Sequence, residues 1–76
     1  MLAIVLARKN FREADQMVSL FTRERGKLEV LAKGIKKIIS KNSANLKVLS
    51  LVDAEIAQGK EIDYLTKVRP VTVFKN

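Results

Sequence analysis

Cysteine and histidine are both absent from this 76-residue chain. Without cysteine the chain can form neither disulfides nor zinc–thiolate sites. Without histidine it also lacks the side chain that most often serves as a general acid or base near neutral pH. We therefore expect no metal site and no cofactor, and the composition is compatible with a reducing compartment such as the cytoplasm.

Long apolar runs are missing too. The run Leu2–Ala7 spans only six residues, against roughly 18–20 for a membrane-spanning helix. No basic region or small-residue cleavage site marks it as a signal peptide, and the sequence has no internal repeat. Residues 1–76 are therefore expected to form one small domain with a modest core, away from membranes.

Acidic residues are scarce, with eight Asp and Glu against fifteen Lys and Arg, and the net charge is +7. The imbalance is concentrated between residues 30 and 52, where there is no acid and there are five lysines: Lys33, Lys36, Lys37, Lys41 and Lys47. Residues 53–63 are acidic instead. This uneven distribution of charge predicts that one side of the molecule binds an anion. A solvated loop that only confers solubility would have the same composition.

The stretch from Gln16 to Gly34 has the pattern of a β-hairpin. Its first arm is apolar from Met17 to Phe21, and its polar tip ends at Gly26, which can adopt the positive φ that a hairpin loop needs. In the second arm Leu28, Val30 and Ala32 alternate with the charged residues Lys27, Glu29 and Lys33, and only Leu31 departs from the pattern. The hairpin is therefore expected to bury one face.

Three further strands are predicted. Leu2–Arg8 is apolar on both faces, and the polar residues 10–14 end it. Leu49–Ala57 and Ile62–Val68 alternate, and Pro70 ends the last strand. The last strand is expected to place Tyr64, Thr66 and Val68 on the face opposite Asp63, Leu65 and Lys67. Between the third and fourth strands the pattern allows a basic loop or a short helix capped by Asn42 or Ser43.

Five short strands with a basic loop or short helix between strands 3 and 4 is the order of an all-β OB-fold barrel. An SH3-like barrel has the same strand count and is the alternative. Phe21 is expected inside the barrel, together with a core made of Ile4, Leu6, Val18, Leu20, Leu28, Val30, Val52 and Ile56.

An ordered set of residues resembles a known family. The set comprises Ala3-Ile4-Val5-Leu6, then Phe11, Glu13 and Asp15, then LFTRERGK at 20–27, then Ala32-Lys33-Gly34. Together they resemble the N-terminal domain of the RecO family of bacterial DNA repair and recombination mediators. Leu46 lies where that family begins a short leucine-containing motif. The chain departs from the family in having Val48 and Leu49 where proline and an aromatic residue are usual.

The resemblance implies an OB-fold that binds single- and double-stranded DNA, helps to anneal complementary strands and helps to load recombinase. It implies RecR as a partner. Family members are longer, with a helical domain that often holds zinc, so this chain looks like an N-terminal fragment. Contact with single-strand-binding protein is expected in the missing part.

The candidate DNA-binding residues are all basic: Arg8, Lys9, Lys33, Lys36, Lys37, Lys41, Lys67 and Arg69. Strands 1 and 5 are expected to lie side by side, so that Arg8, Lys9, Lys67 and Arg69 extend the surface formed by the lysines between residues 33 and 47. With only four aromatic residues, a phosphate-dominated, sequence-tolerant mode is favoured, and Tyr64 is the best candidate for stacking on bases. An RNA-binding OB domain of the translation machinery, a protein-interaction barrel and a cationic membrane-surface helix are the alternatives.

Catalysis has little support. The acids occur in pairs spaced by two, which share a face in a strand: Glu13 and Asp15, Asp53 and Glu55, Glu61 and Asp63. No third metal ligand, nucleophile or Gly-rich phosphate loop accompanies them. The outer faces of strands explain the pairs, and the sequence predicts a protein that is not an enzyme.

Overall fold

Five strands close into a barrel in the computed structural model, which describes residues 1–35, 38 and 46–71. The strands are β1 Leu2–Arg12, β2 Asp15–Thr22, β3 Gly26–Ala32, β4 Leu51–Ala57 and β5 Asp63–Pro70. Around the barrel the order is β1-β2-β3-β5-β4, which returns to β1. β3 and β5 pair in parallel and the other pairs are antiparallel. The predicted OB-fold barrel is confirmed.

The inward face of β1 is the opposite of the one predicted. Ala3 and Val5 are buried, whereas Ile4 is 36% exposed and Leu6 is half-buried. The pairing with β2 shifts between Val5 and Ala7, which leaves Leu6 as an extra residue. Because the run is apolar on both faces, the sequence has no alternation to show which face is inward. The strand also continues to Arg12, beyond the predicted end at Arg8, because it stays paired with β2.

The β2–β3 hairpin lies where it was predicted, with Gly26 at φ 66°. Buried Thr22 holds the turn, because its hydroxyl donates to the Gly26 carbonyl (2.9 Å) and accepts from the Arg25 amide (3.0 Å). The prediction that Phe21 is in the core is wrong, since its side chain is 51% exposed. It lies between buried Leu20 and Thr22, and successive side chains of a strand point to opposite faces.

The β4–β5 hairpin also departs from simple alternation. β4 begins at Leu51 rather than Leu49, which lies in a turn with φ 71°. In β5 the register shifts so that Thr66 is an extra residue, and Leu65 and Val68 are both buried. The expectation that these two residues lie on opposite faces is therefore wrong. β5 ends at Pro70, as predicted.

The core continues from the barrel into the connection between β3 and β4. Buried residues from all five strands form one cluster with Ile35, Ile38 and Leu46. Ile35 lies at the end of the barrel at which β1 turns into β2, because its amide donates to the Ala14 carbonyl (2.9 Å). The predicted helix cap at Asn42 or Ser43 lies outside the described residues. Within the described ranges no helix is long and apolar enough to cross a membrane.

Candidate functional site

Basic side chains gather at the end of the barrel where β1 turns into β2. Backbone contacts bring the end of β3 to this turn, since the Gly34 amide donates to the Asp15 carboxylate (3.0 Å) and the Ile35 amide to the Ala14 carbonyl. Lys33 therefore lies beside the last residues of β1. We call this surface the basic end, and it comprises Arg8, Lys9, Arg12, Lys33 and Lys47.

Arg8 holds the other end of the β3–β4 connection. Its Nη1 donates to the Leu46 carbonyl (3.0 Å) and its Nε to Oε1 of Gln16 (2.9 Å). Leu46 is buried, so the contact fixes the backbone next to Lys47. A guanidinium has five N–H donors, and these bonds use two of them. Arg8, predicted only as a DNA contact, is therefore also a structural residue that places Lys47 at the basic end.

The other four cations of the basic end are exposed and have no ion-pair partner among the described residues. The nearest acids along the chain are Glu13 and Asp15, and Asp15 lies opposite Arg12 in the β1–β2 ladder. A third acid, Glu29 of β3, lines one groove with Arg8 and Lys9. Five cations against these three acids leave this end of the barrel positive. An exposed surface of this kind attracts polyanions, which release counterions when they bind.

Lys67 and Arg69 lie elsewhere. The expectation that strands 1 and 5 are adjacent is wrong, because β4 lies between them. Arg69 Nη2 pairs with Asp53 Oδ2 (3.2 Å), and Lys67 lies opposite Glu55 in the β4–β5 ladder. These side chains line a groove of about 460 Å³ in which bases and acids alternate. The two bases thus belong to a surface of mixed charge, separate from the basic end.

Asp53 is the centre of that mixed-charge surface. Its Oδ1 accepts from the chain's α-amino group at 2.8 Å, and its Oδ2 contacts Arg69. The hydrogen bond and positive charge of the α-amino group, assisted by Arg69, lower the pKa of the Asp53 carboxyl below its ordinary value of 3.8. Among the described residues no group of three Asp, Glu, His or Cys side chains could hold a metal ion.

Three of the predicted contacts, Lys36, Lys37 and Lys41, lie outside the described residues. Their neighbours in sequence are informative, because Lys33 and Lys47 bracket them and both lie at the basic end. The segment between these two lysines contains no acid. The predicted lysines are therefore flanked in sequence by two residues of the basic end.

The exposed aromatic rings differ from those expected. Phe11 is 49% exposed and lies at the end of β1, with the Arg12 guanidinium carbon 5.0 Å from its ring centroid. Tyr64, the predicted stacking residue, is half-buried, and an edge of its ring lies against Gly59. The exposure of Phe11 could have been predicted from the sequence. The three residues before it, Arg8-Lys9-Asn10, are polar and offer no apolar side chains to cover its ring.

A second exposed feature lies toward the opposite end of β2. Leu2, Ile4, Phe21 and Leu51 line a groove of about 260 Å³ that is almost entirely apolar, with Arg23 at its border. Sequence reasoning missed this groove because it placed Ile4 and Phe21 inside the barrel. The two errors have different causes. The faces of β1 are the reverse of those predicted, whereas in β2 Phe21 alternates with the buried residues Leu20 and Thr22 and therefore points outward.

The fold and its charge place the chain in the class of small OB-fold barrels with a cationic surface, a class in which oligonucleotide binding is common. The family model described as the N-terminal domain of recombination protein O matches residues 1–74. The chain belongs to that family, which confirms the resemblance noted in the sequence.

The chain is similar to proteins named DNA repair protein RecO from several bacteria. It is 36% identical over 72 residues to the one from a Nocardioides species, covering 95% of this chain and 30% of the relative. The identity is 39% over 66 residues for Cutibacterium acnes, covering 87% and 27%. For Heliobacterium modesticaldum it is 38% over 72 residues, covering 95% and 26%. The chain thus spans less than a third of the length of these relatives.

Proposed function

We propose that this domain binds single- and double-stranded DNA through the phosphate backbone, without sequence specificity, as part of a RecO-like repair and recombination mediator. The observation that carries the proposal is the convergence of Lys9, Arg12, Lys33 and Lys47 at one end of the barrel, exposed and without ion-pair partners among the described residues. The repair context comes from relatives that are named DNA repair proteins. The domain binds and positions DNA and is not an enzyme.

The chemistry of the basic end suits a phosphate chain. Lysine ammonium groups are point charges without a preferred base partner, so they contact phosphates of any sequence. Lys33 directly follows a paired strand, and the sequence adds Lys36, Lys37 and Lys41 before Lys47. If about four phosphates of a single strand are neutralised, log K falls against log[salt] with a slope of roughly −3.

The partners and location of the longer protein are part of the same proposal. RecR and single-strand-binding protein are the partners that the family resemblance implies, the latter through parts of the relatives that this chain does not cover. A cytoplasmic location follows from a role on bacterial DNA. Lys67 and Arg69 remain predicted contacts, but we expect them to contribute less because Asp53 and Glu55 face them.

Protein interaction is the second candidate function. Its support is the apolar groove of Leu2, Ile4, Phe21 and Leu51, which leaves large apolar side chains in contact with water. The groove and the basic end lie toward opposite ends of β2, so both functions fit on one barrel. If the wild-type domain is folded but binds no nucleic acid, protein interaction becomes the favoured function.

The proposal is tested by fluorescence anisotropy with labelled single-stranded DNA, duplex DNA and single-stranded RNA of equal length. Measurements at about 50 and about 200 mM salt should differ roughly 60-fold in affinity for the single strand, as a slope of −3 requires. Comparable binding of RNA would favour the translation-machinery alternative. Absence of binding to all three probes at low salt would refute the proposal.

Two triple variants with the same net charge locate the site. Changing Lys9, Lys33 and Lys47 to Glu should weaken DNA binding at least about ten-fold. The matched control changes three exposed cations away from the basic end to Glu, namely Arg23, Lys27 and Lys60, and should weaken it much less. Both lower the net charge from +7 to +1, and neither should shift the melting temperature greatly because exposed charges contribute little to folding. Equal losses would mean that binding is diffuse.

A further inference from the structure

Phe11 occupies a β-bulge at the rim of the barrel. Asn10 pairs with Gln16 and Arg12 pairs with Asp15, so Phe11 has no partner across the β1–β2 ladder. A bulge rotates the extra residue out of the regular alternation, and bulges are frequent at barrel rims, where they redirect a side chain. Here the redirected side chain is an aromatic ring that is 49% exposed.

The ring has a cation on one face. The Arg12 guanidinium carbon lies 5.0 Å from the Phe11 centroid, which is a cation–π distance. Contact with the guanidinium orients the ring and leaves its opposite face for another planar group. Lys9 lies two residues away on β1, also exposed. An exposed aromatic face is thus bordered by two cations at the basic end.

The other aromatic residues are less suited to stack on a base at this site. Phe21 is exposed, but it lies six residues along β2 from Asp15, which is roughly 20 Å from the basic end at the rise of a strand. One edge of Tyr64 is covered by Gly59. Phe74 lies outside the described residues.

We propose that Phe11 is a stacking platform for an unpaired nucleobase of a single strand, with Arg12 and Lys9 holding the flanking phosphates. The inference rests on the proposed function and deepens it, because it adds a contact to a base at the basic end and makes Phe11, rather than the predicted Tyr64, the residue that stacks. Every base has a π-face, so the contact is tolerant of sequence. In a duplex the bases are already stacked, so Phe11 favours single strands over duplexes.

The first test uses the absence of tryptophan from the chain. A Phe11→Trp variant carries one indole at the platform, and a Phe21→Trp variant carries one at a ring of similar exposure away from the basic end. Stacking of a base on indole quenches its fluorescence. We expect a single-stranded thymine oligonucleotide to quench the Phe11→Trp signal strongly, and the Phe21→Trp signal little. An abasic oligonucleotide of the same length, which has the phosphates without bases, should bind with little quenching at either position.

The second test measures affinity. Phe11→Ala should weaken binding of the thymine oligonucleotide about 5- to 160-fold, the range seen when one stacked base loses its aromatic partner. It should leave binding of the abasic strand and the duplex within about two-fold, because the cations remain. Phe11→Tyr keeps the ring and should restore wild-type affinity. A uridine oligonucleotide, run in parallel, shows whether DNA or RNA is the preferred source of the base.

The outcomes separate this inference from the proposed function. If the wild-type domain binds none of the nucleic acids, the proposed function fails. If it binds thymine and abasic strands equally, and Phe11→Ala changes neither affinity, binding is purely electrostatic and the stacking platform is refuted. Strong quenching of Phe21→Trp with none of Phe11→Trp would also refute it, because the bases would then contact the apolar groove.

Discussion

Replacing Val5 by alanine is expected to destabilise the barrel far more than replacing its neighbour Ile4. Val5 is fully buried in the core cluster, whereas Ile4 is 36% exposed and lines the apolar groove. Removing two methyl groups from Val5 forfeits about 1.6 kcal/mol of transfer free energy, and the cavity adds to this loss, so we expect about 2–3 kcal/mol in total. Ile4→Ala removes more carbon from a site that already contacts water, and should cost about 1 kcal/mol or less.

Thermal and urea unfolding, followed by circular dichroism, give both free energies. In a domain of this size a loss of 2–3 kcal/mol lowers the melting temperature by roughly 8–24 °C, whereas Ile4→Ala should stay below roughly 8 °C. Both variants replace a β-branched residue by alanine in one strand, so the difference between them reports burial rather than strand propensity. If Ile4→Ala were the more damaging change, β1 would be paired one residue out of register, and the core assignment would be refuted.

Three other side chains test contacts that hold the barrel end, the hairpin and the β4–β5 surface. Arg8→Gln loses the bond to the Leu46 carbonyl and should cost about 1–2 kcal/mol by urea unfolding, whereas Lys9→Gln should cost almost nothing; equal effects would contradict a structural role for Arg8. Thr22→Val should lower the free energy of unfolding by about 1–3 kcal/mol, because the Gly26 carbonyl and the Arg25 amide lose their hydrogen-bond partner. Thr22→Ser keeps the hydroxyl and should retain most of the stability. The pKa of Asp53 is lower in the folded than in the unfolded state, so its contribution to stability is present above about pH 4 and is lost as pH falls through the folded pKa; Asp53→Asn should flatten this part of the stability–pH profile, and an unchanged profile would contradict the assignment.

The parts of the fold that the sequence predicted are those in which alternation is unbroken. In the β2–β3 hairpin, Val18, Leu20 and Val30 recur with a period of two, and all three are buried. The pairing of these strands is continuous from Gln16 to Thr22. A regular strand has only one register that buries a given face, so pattern and structure agree at these three positions. Phe21, on the other face of β2, is the exception because the sequence offers an apolar residue there as well.

Face assignments failed where a strand holds a bulge or is apolar on both sides. In β5 the extra residue Thr66 lets Leu65 and Val68 face the same core, although an odd separation normally puts two residues on opposite faces. The bulge depends on pairing with β4, where the Thr66 hydroxyl donates to the Glu55 carbonyl (3.0 Å). Such a contact is made between strands and leaves no periodic signal within either one.

The candidate site was predictable in composition but not in shape. A lysine-rich segment without acids indicates an anion-binding surface from sequence alone. That Lys9 and Lys47 join Lys33 depends on long-range contacts, above all the bond from Arg8 to the Leu46 carbonyl across 38 positions. Lys67 and Arg69 lie beside the acids of β4 because β4 is placed between β1 and β5. That order of strands follows from closure of the barrel and cannot be read from the sequence of β1 or β5.

The two bulges of β1 connect these failures to the function proposed for the chain. In an unbroken strand, the residues that share the inward face of Val5 would include Lys9 and Phe11, at even separations from it. The bulge at Leu6 reverses the alternation, so Lys9 pairs with Met17 on the outer face while Arg8 pairs with Val18 and reaches the closed end of the barrel. The second bulge then frees Phe11 from the ladder beside Arg12. The two irregularities of β1 are therefore the ones that expose a cation and an aromatic ring together.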